Sequence, residues 1–323
     1  MTEEIIDFHT HFLQADFLKQ ALPHNALANF GDGPVPPFND DGRFDNVFDP
    51  KVRIQDMDKR GVTKHVISSS TVMQGTFYLS SKDEPKAVRK LNDFLYQQWV
   101  KKYPKRFIGT MILPLNNPDA TRKELERMVR DYHTKVVELP VRVGDTYLSD
   151  NSFDYLWKLI EKYKLVAFVH PDGIRDPWYR KYVMWNSIGQ NIEETKFMTS
   201  MIYEGKMDKF SDVDIVLTHG GGTLPLYPGR VDRNAIYRPE ETMMNVELPF
   251  PSDYITHFHY DLCLYDQKTL QMLFDRYGTS PYMAGSDYPF GDQLPTDILK
   301  GLKLSKEERK MLLSGTAKKL LNS

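Results

Sequence analysis

Short apolar runs alternate along the chain with longer segments in which apolar residues recur every three or four positions. The runs at 5–11, 64–68, 107–113, 135–139, 165–169, 213–218, 257–261 and 281–285 read as strands, each too short for a helix and bounded by turn residues. Between them the period changes. Asp49-Pro50 reads as an N-cap followed by proline in the first turn, opening a short helix with Val52, Ile54 and Met57 on its apolar side and Gly61 at its end. Helical spacing continues at 85–102 (Val88, Leu91, Phe94, Leu95, Trp99), 118–132 (Leu125, Met128, Val129) and 153–163 (Leu156, Leu159, Ile160). Further helices are predicted over 192–210, 268–277 and 306–321. The section 14–49 holds Gly31-Asp32-Gly33-Pro34 and Pro36-Pro37 and reads as a long loop, a length that usually serves as a lid or binding loop.

Strict alternation of strands and helices predicts a parallel sheet. Eight such units in 323 residues, with no linker and no internal repeat, predict a single (β/α)8 TIM-type barrel over residues 1–323. No G-x-G-x-x-G follows the first strand, which weighs against a dinucleotide-binding sheet.

Composition narrows the partners. A chain 41% hydrophobic and 27% charged is an ordinary globular one. Its net charge of −2 gives no basic footprint for nucleic acid, and no apolar run reaches membrane-spanning length. One cysteine, Cys263, excludes an internal disulfide and fits a reducing compartment. The acidic start Thr2-Glu3-Glu4 enters a strand at once, so no signal peptide is expected and the location is expected to be cytoplasmic.

Candidate chemistry sits at strand ends. His9 and His11 are two apart, so in extended chain they project together and make half of a zinc-type site. Alone, an H-x-H pair is as readily a surface accident. However, His170 ends the fifth strand, His219 ends the sixth ahead of Gly220-Gly221-Gly222, and Asp287 ends the eighth. In a barrel all carboxyl ends open on one face, so these residues converge. Three imidazoles and a carboxylate, with a water, complete a four- or five-coordinate site. His24 in a loop, His133 at a helix end and His65 at the opposite end of its strand read as structural.

The segments DFHTH, FVHP, LTHGGG and GSDYPF, with FDPKVRIQDMDKRGVTKHVIS and YPKRFIGTMILPL, resemble the amidohydrolase superfamily. Within it they resemble the branch of 2-amino-3-carboxymuconate-6-semialdehyde decarboxylase. The resemblance spans nearly the whole chain. It implies an amidohydrolase-like barrel with a long insertion after strand one. It also implies a mononuclear zinc, with manganese as the alternative, held by His9, His11, His170 and Asp287 and carrying a water. His219 and Asp287 are implied to handle protons.

Arg238, in Tyr237-Arg238-Pro239-Glu240, matches a family arginine that reaches a neighbouring subunit's site to pair with a substrate carboxylate, which implies a homodimer. Trp185 and Phe290 match aromatic pocket positions. The implied activity is metal-dependent, non-oxidative decarboxylation of a small unsaturated or aromatic carboxylic acid, of the carboxymuconate semialdehyde or hydroxybenzoate type. A hydrolase or lactonase acting through a metal-bound hydroxide is the alternative on the same scaffold. A non-catalytic metal-binding protein would have no use for His219.

Three departures limit what carries over. A second family arginine, in the loop after strand one, has no clean counterpart, with Arg43 nearby. The family's His-Pro-Trp-Asp is here His170-Pro171-Asp172-Gly173. Glu138 ends strand four, where some superfamily members place a residue bridging to a second metal.

Overall fold

Eight parallel strands run in consecutive order around the molecule: β1 Ile6–Phe12, β2 Lys64–Ser69, β3 Phe107–Met111, β4 Val136–Leu139, β5 Val166–Val169, β6 Ile215–Leu217, β7 His259–Asp261 and β8 Tyr282–Met283. These are the predicted strands, β1 shifted by one residue, β2 longer by one, and the other six trimmed at their ends. The computed structural model describes residues 3–21, 44–69, 71–74, 76, 78–291 and 293–322. Closure comes from the segment after β8. The Phe8 N–H donates to the Ala284 carbonyl at 2.8 Å, the Tyr288 N–H donates to the His9 carbonyl at 3.3 Å, and Thr10 and Tyr288 form a parallel bridge. Sequential parallel order plus closure makes the (β/α)8 barrel.

Two apolar layers hold it. Phe8, Val66, Val136, Phe168, Val216 and Met283 fill the barrel interior, with Ala317 and Leu320 of the last helix packed against them. A larger cluster lies between the strands and the surrounding helices.

The helices follow their signals. Asp49 accepts the Lys51 N–H at 2.7 Å and caps Pro50–Arg60, which ends at a left-handed Gly61 with φ 69°. Asn117 accepts the Ala120 N–H at 3.1 Å and caps Pro118–Tyr132. Predicted helix 192–210 is broken at Gly205 into Gln190–Tyr203 and Lys206–Lys209. Predicted helix 85–102 is Glu84–Leu95 followed by a wider turn, Tyr96–Val100.

Two expectations need correction. Within Pro50–Arg60 the fully buried positions are Met57 and the unexpected Arg53, while Ile54 packs half-buried against the core and Val52 is half-buried. Arg53 tolerates burial because its Nε donates to the Asn46 carbonyl at 2.7 Å and another nitrogen donates to the His11 carbonyl. The loop predicted at 14–49 has helical ends, Ala15–Ala21 and Asp45–Phe48, which bury Phe17, Leu18, Ala21 and Val47. Helices of seven and four residues are too short for a periodic signal. Arg43 and His24 lie outside the described residues. Among the described residues, no helix is long and apolar enough to cross a membrane.

Candidate active site

β1 pairs Asp7 with His65 but Thr10 with Ile67, so it carries one extra residue between them. A bulge of this kind re-aims the side chains beyond it. Ile6 and Phe8 lie in the interior apolar cluster, and after the bulge His9 also turns inward, its ring 5.6 Å from that of Phe168. The bulge is tied down by Asp7, whose carboxylate accepts the N–H of His9 at 3.3 Å and that of Ser286 at 3.0 Å. Burial pushes Asp7 up to about 6 despite these bonds.

Four predicted side chains meet above Phe168. One donor atom each from His9, His11, His170 and Asp287 lies within 4.8 Å of all the others. The Nε2 atoms of His9 and His11 are 3.1 Å apart, and Asp287 Oδ1 is 3.0 Å from the second and 3.4 Å from the first. His9 is sealed at 0% exposure while Asp287 shows 15%, so the cluster opens toward solvent on the carboxylate side.

The other edge of each imidazole is fixed. His9 Nδ1 lies 2.6 Å from Asp261, His11 Nδ1 2.7 Å from the Ser69 carbonyl, and His170 Nδ1 2.8 Å from the Pro171 carbonyl. Carbonyls and carboxylates only accept, so these nitrogens carry the protons and each Nε2 presents a bare lone pair. Lone pairs 3.1 Å apart with a carboxylate oxygen beside them repel unless a cation stands among them. The donor set therefore fits a divalent metal, with three imidazoles and one carboxylate as in open metal sites.

The electrostatics agree. Burial lowers His9 against the pull of Asp287 and Asp261, and burial with the neighbouring His11 and His9 puts His170 well below the usual range. For Asp287 burial works upward, but His9 and His11 outweigh it and keep the carboxyl below its usual range. Neutral imidazole and ionised carboxylate are the ligating forms.

His219 stands beside this cluster, its ring 5.2 Å from that of His9 and 5.4 Å from that of His170. Its Nδ1 is 2.8 Å from Glu194, a fully buried carboxylate on helix Gln190–Tyr203. Burial disfavours its charge, but Glu194 more than compensates and pushes the imidazole up to about 9. A cation in the cluster opposes that charge. His219 and Asp287 both hold left-handed backbone, φ 47° and 58°, an uncommon state for residues other than glycine and one that collects at functional sites.

Close approach of backbones makes room for all this. A Cβ on Gly285 would lie 2.6 Å from Asp261 Cβ and 3.0 Å from His9 Cβ, so only glycine lets β7 and β1 come together below the cluster.

The remaining predicted residues divide. Phe290 is brought alongside, its ring 5.7 Å from that of His11 and 6.2 Å from that of Phe44. Trp185 is half-buried and opens the helical segment Trp185–Gly189 on the connection leaving β5. Arg238 does not join the cluster of its own chain. It is 67% exposed, 3.8 Å from Glu241 one turn on. Glu138 is buried but spends its oxygens on the Ser69 N–H (2.8 Å), Ser69 Oγ (2.7 Å) and Thr110 Oγ (3.0 Å). It is absent from the metal-donor groups found among the described residues. Three participants escaped the sequence reading: Asp261 at the end of β7, Glu194 on a helix, and Arg53. Asp261 alone carried a signal, a carboxylate at the end of the predicted strand 257–261.

A closed barrel whose strand ends gather three imidazoles and a carboxylate defines a metal-site barrel. The chain belongs to the amidohydrolase family, whose model matches residues 6–322. It is 28% identical over 331 residues to a 2-amino-3-carboxymuconate-6-semialdehyde decarboxylase of Dictyostelium discoideum, covering 98% of this chain and 91% of that one. The fold is shared with 5-carboxyvanillate decarboxylase of Sphingomonas paucimobilis (TM-score 0.85, 22% identity, 99% of both chains). It is shared too with a dihydroxybenzoic acid decarboxylase of Polaromonas sp. JS666 bearing manganese and 2-nitroresorcinol (TM-score 0.84, 20% identity, 99% of this chain and 97% of that one).

Proposed function

We propose that the chain is a metal-dependent, non-oxidative decarboxylase of a small unsaturated or aromatic carboxylic acid, with residues 1–323 as one catalytic domain. The observation that carries this is the pairing of a convergent donor cluster, all atoms within 4.8 Å, with a separate His219–Glu194 pair beside it. A purely structural metal site has no need of the pair. The relatives named above support the reaction class.

His9, His11, His170 and Asp287 would hold the ion. When bound, a zinc or manganese ion supplies charge that polarises a substrate oxygen. Decarboxylation replaces a carbon–carboxylate bond by a carbon–hydrogen bond, so one proton enters and one carbon dioxide leaves. His219 is assigned the delivery of that proton, and Asp287, ionised beside it, a share in handling protons. His219 Nδ1 is committed to Glu194, which leaves Nε2 for transfer. Phe290 and Trp185 form aromatic walls for a flat substrate.

Arg238, exposed on its own chain, pairs with the substrate carboxylate in a neighbouring subunit of a homodimer. Exposed Ile236 and Tyr237 beside it, at 59% and 68%, give an apolar surface for that contact. The buried thiol of Cys263 suits a reducing cytoplasm.

Turnover in deuterium oxide tests the reaction class. Release of carbon dioxide with one deuterium on the vacated carbon is expected. A hydrolysed product with no carbon dioxide would transfer the assignment to the hydrolase or lactonase chemistry of the same scaffold.

A further inference from the structure

Cys263 follows β7 by two residues and is buried at 3% exposure. Its Sγ and one ring nitrogen each of His9 and His219 lie within 4.8 Å of one another. The site thus contains two overlapping donor sets that share His9. One offers three imidazoles and a carboxylate, the other two imidazoles and a sulfur.

The second set is built rather than incidental, because a single carboxylate organises all three of its members. Asp261 holds His9 Nδ1 at 2.6 Å, accepts the Gly220 N–H next to His219 at 3.0 Å, and accepts the Cys263 N–H at 3.1 Å. Tyr265, left-handed at φ 56°, accepts the Cys263 S–H at 3.3 Å, and its hydroxyl can turn to donate once the thiol has lost its proton.

We propose that His9, His219 and Cys263 form an alternative cation position for thiophilic divalent ions, mutually exclusive with the four-ligand centre. The inference rests on the metal-centre reading above. Carboxylate and imidazole suit manganese, whereas thiolate draws softer ions. Binding exchanges the Cys263 S–H bond for a sulfur–metal bond and releases the proton to solvent. Since both positions need His9, one ion occupies one of them at a time. An ion in the sulfur position takes His219 out of proton transfer, so it gives an inactive form.

The test loads metal-stripped full-length protein with Cd2+. Expected are one Cd2+ per chain, a thiolate-to-cadmium absorption band, loss of the band in Cys263→Ser, and expulsion of Mn2+ when Cd2+ is added to the manganese form. X-ray absorption at the cadmium edge of the wild type gives a readout that needs no variant, and a sulfur neighbour is expected. Cadmium bound without a sulfur neighbour, a band that survives Cys263→Ser, or Mn2+ and Cd2+ held together on one chain would overturn the proposal while leaving the four-ligand centre intact. A wild type that retains neither Mn2+ nor Cd2+ would overturn both.

Discussion

Each imidazole of the cluster is defined by what grips its Nδ1. For His11 and His170 the grip is a backbone carbonyl and for His9 the Asp261 carboxylate, each leaving a bare Nε2 inside the cluster, whereas His219 stands beside the cluster on Glu194, which favours the charged ring. Removal should therefore separate their roles. His219→Ala is expected to keep the metal and lose roughly 10²–10⁴-fold in turnover, the usual share of a general acid–base group. His9→Ala is expected to lose both metal and turnover. Metal analysis beside steady-state rates checks the pair, and a fully active His219→Ala would refute its proton role. A different buried carboxyl sets a pH dependence of stability. Burial pushes Glu84 from its ordinary 4.5 to about 7, against bonds from Thr76 Oγ at 2.7 Å and the Asn116 N–H at 3.1 Å. Between these values the folded chain holds a proton that the unfolded chain has released. Its contribution therefore falls as pH rises through that window. Urea midpoints of wild type and Glu84→Gln should differ in slope across it, with the variant flatter.

At the scale of elements, the site depends on how closely β1, β7 and β8 approach. Gly285→Ala would set a Cβ against Asp261 and His9, and is expected to cost about 1–3 kcal/mol of stability and to weaken metal retention. Denaturant unfolding and metal analysis measure both. The strands and the donors at their ends were legible in the sequence because buried parallel strands read as apolar runs and strand ends share one face. The bulge in β1 was not legible. Ile6 and Phe8 already occupy the interior face, and strict alternation from them would have turned His9 away from it. Nothing in the sequence marks the extra residue that reverses this. Glu194 was hidden for a different reason. It lies within a helix, and its use depends on that helix docking against the end of β6. Arg53 was lost because an arginine on an otherwise apolar side reads as solvent-facing until its partners are known.

At the scale of the whole molecule, a homodimer in which Arg238 crosses to the partner's site would make activity a property of two chains. His219→Ala and Arg238→Ala are each expected to be nearly inactive. Mixed in equal amounts and allowed to exchange subunits, they should recover about a quarter of wild-type activity, because half the dimers pair unlike chains and each of those has one intact site. Absence of recovery, with exchange verified, would confine Arg238 to its own surface. The most direct measurement of the central claim is carbon dioxide release by protein stripped of metal and then restored with manganese or zinc. The substrates are carboxymuconate semialdehydes and hydroxybenzoates. Release from at least one of these acids is expected only after restoration, with about one ion bound per chain. Equal release by the stripped protein, or one bound ion with no release from any of them, would contradict the central claim.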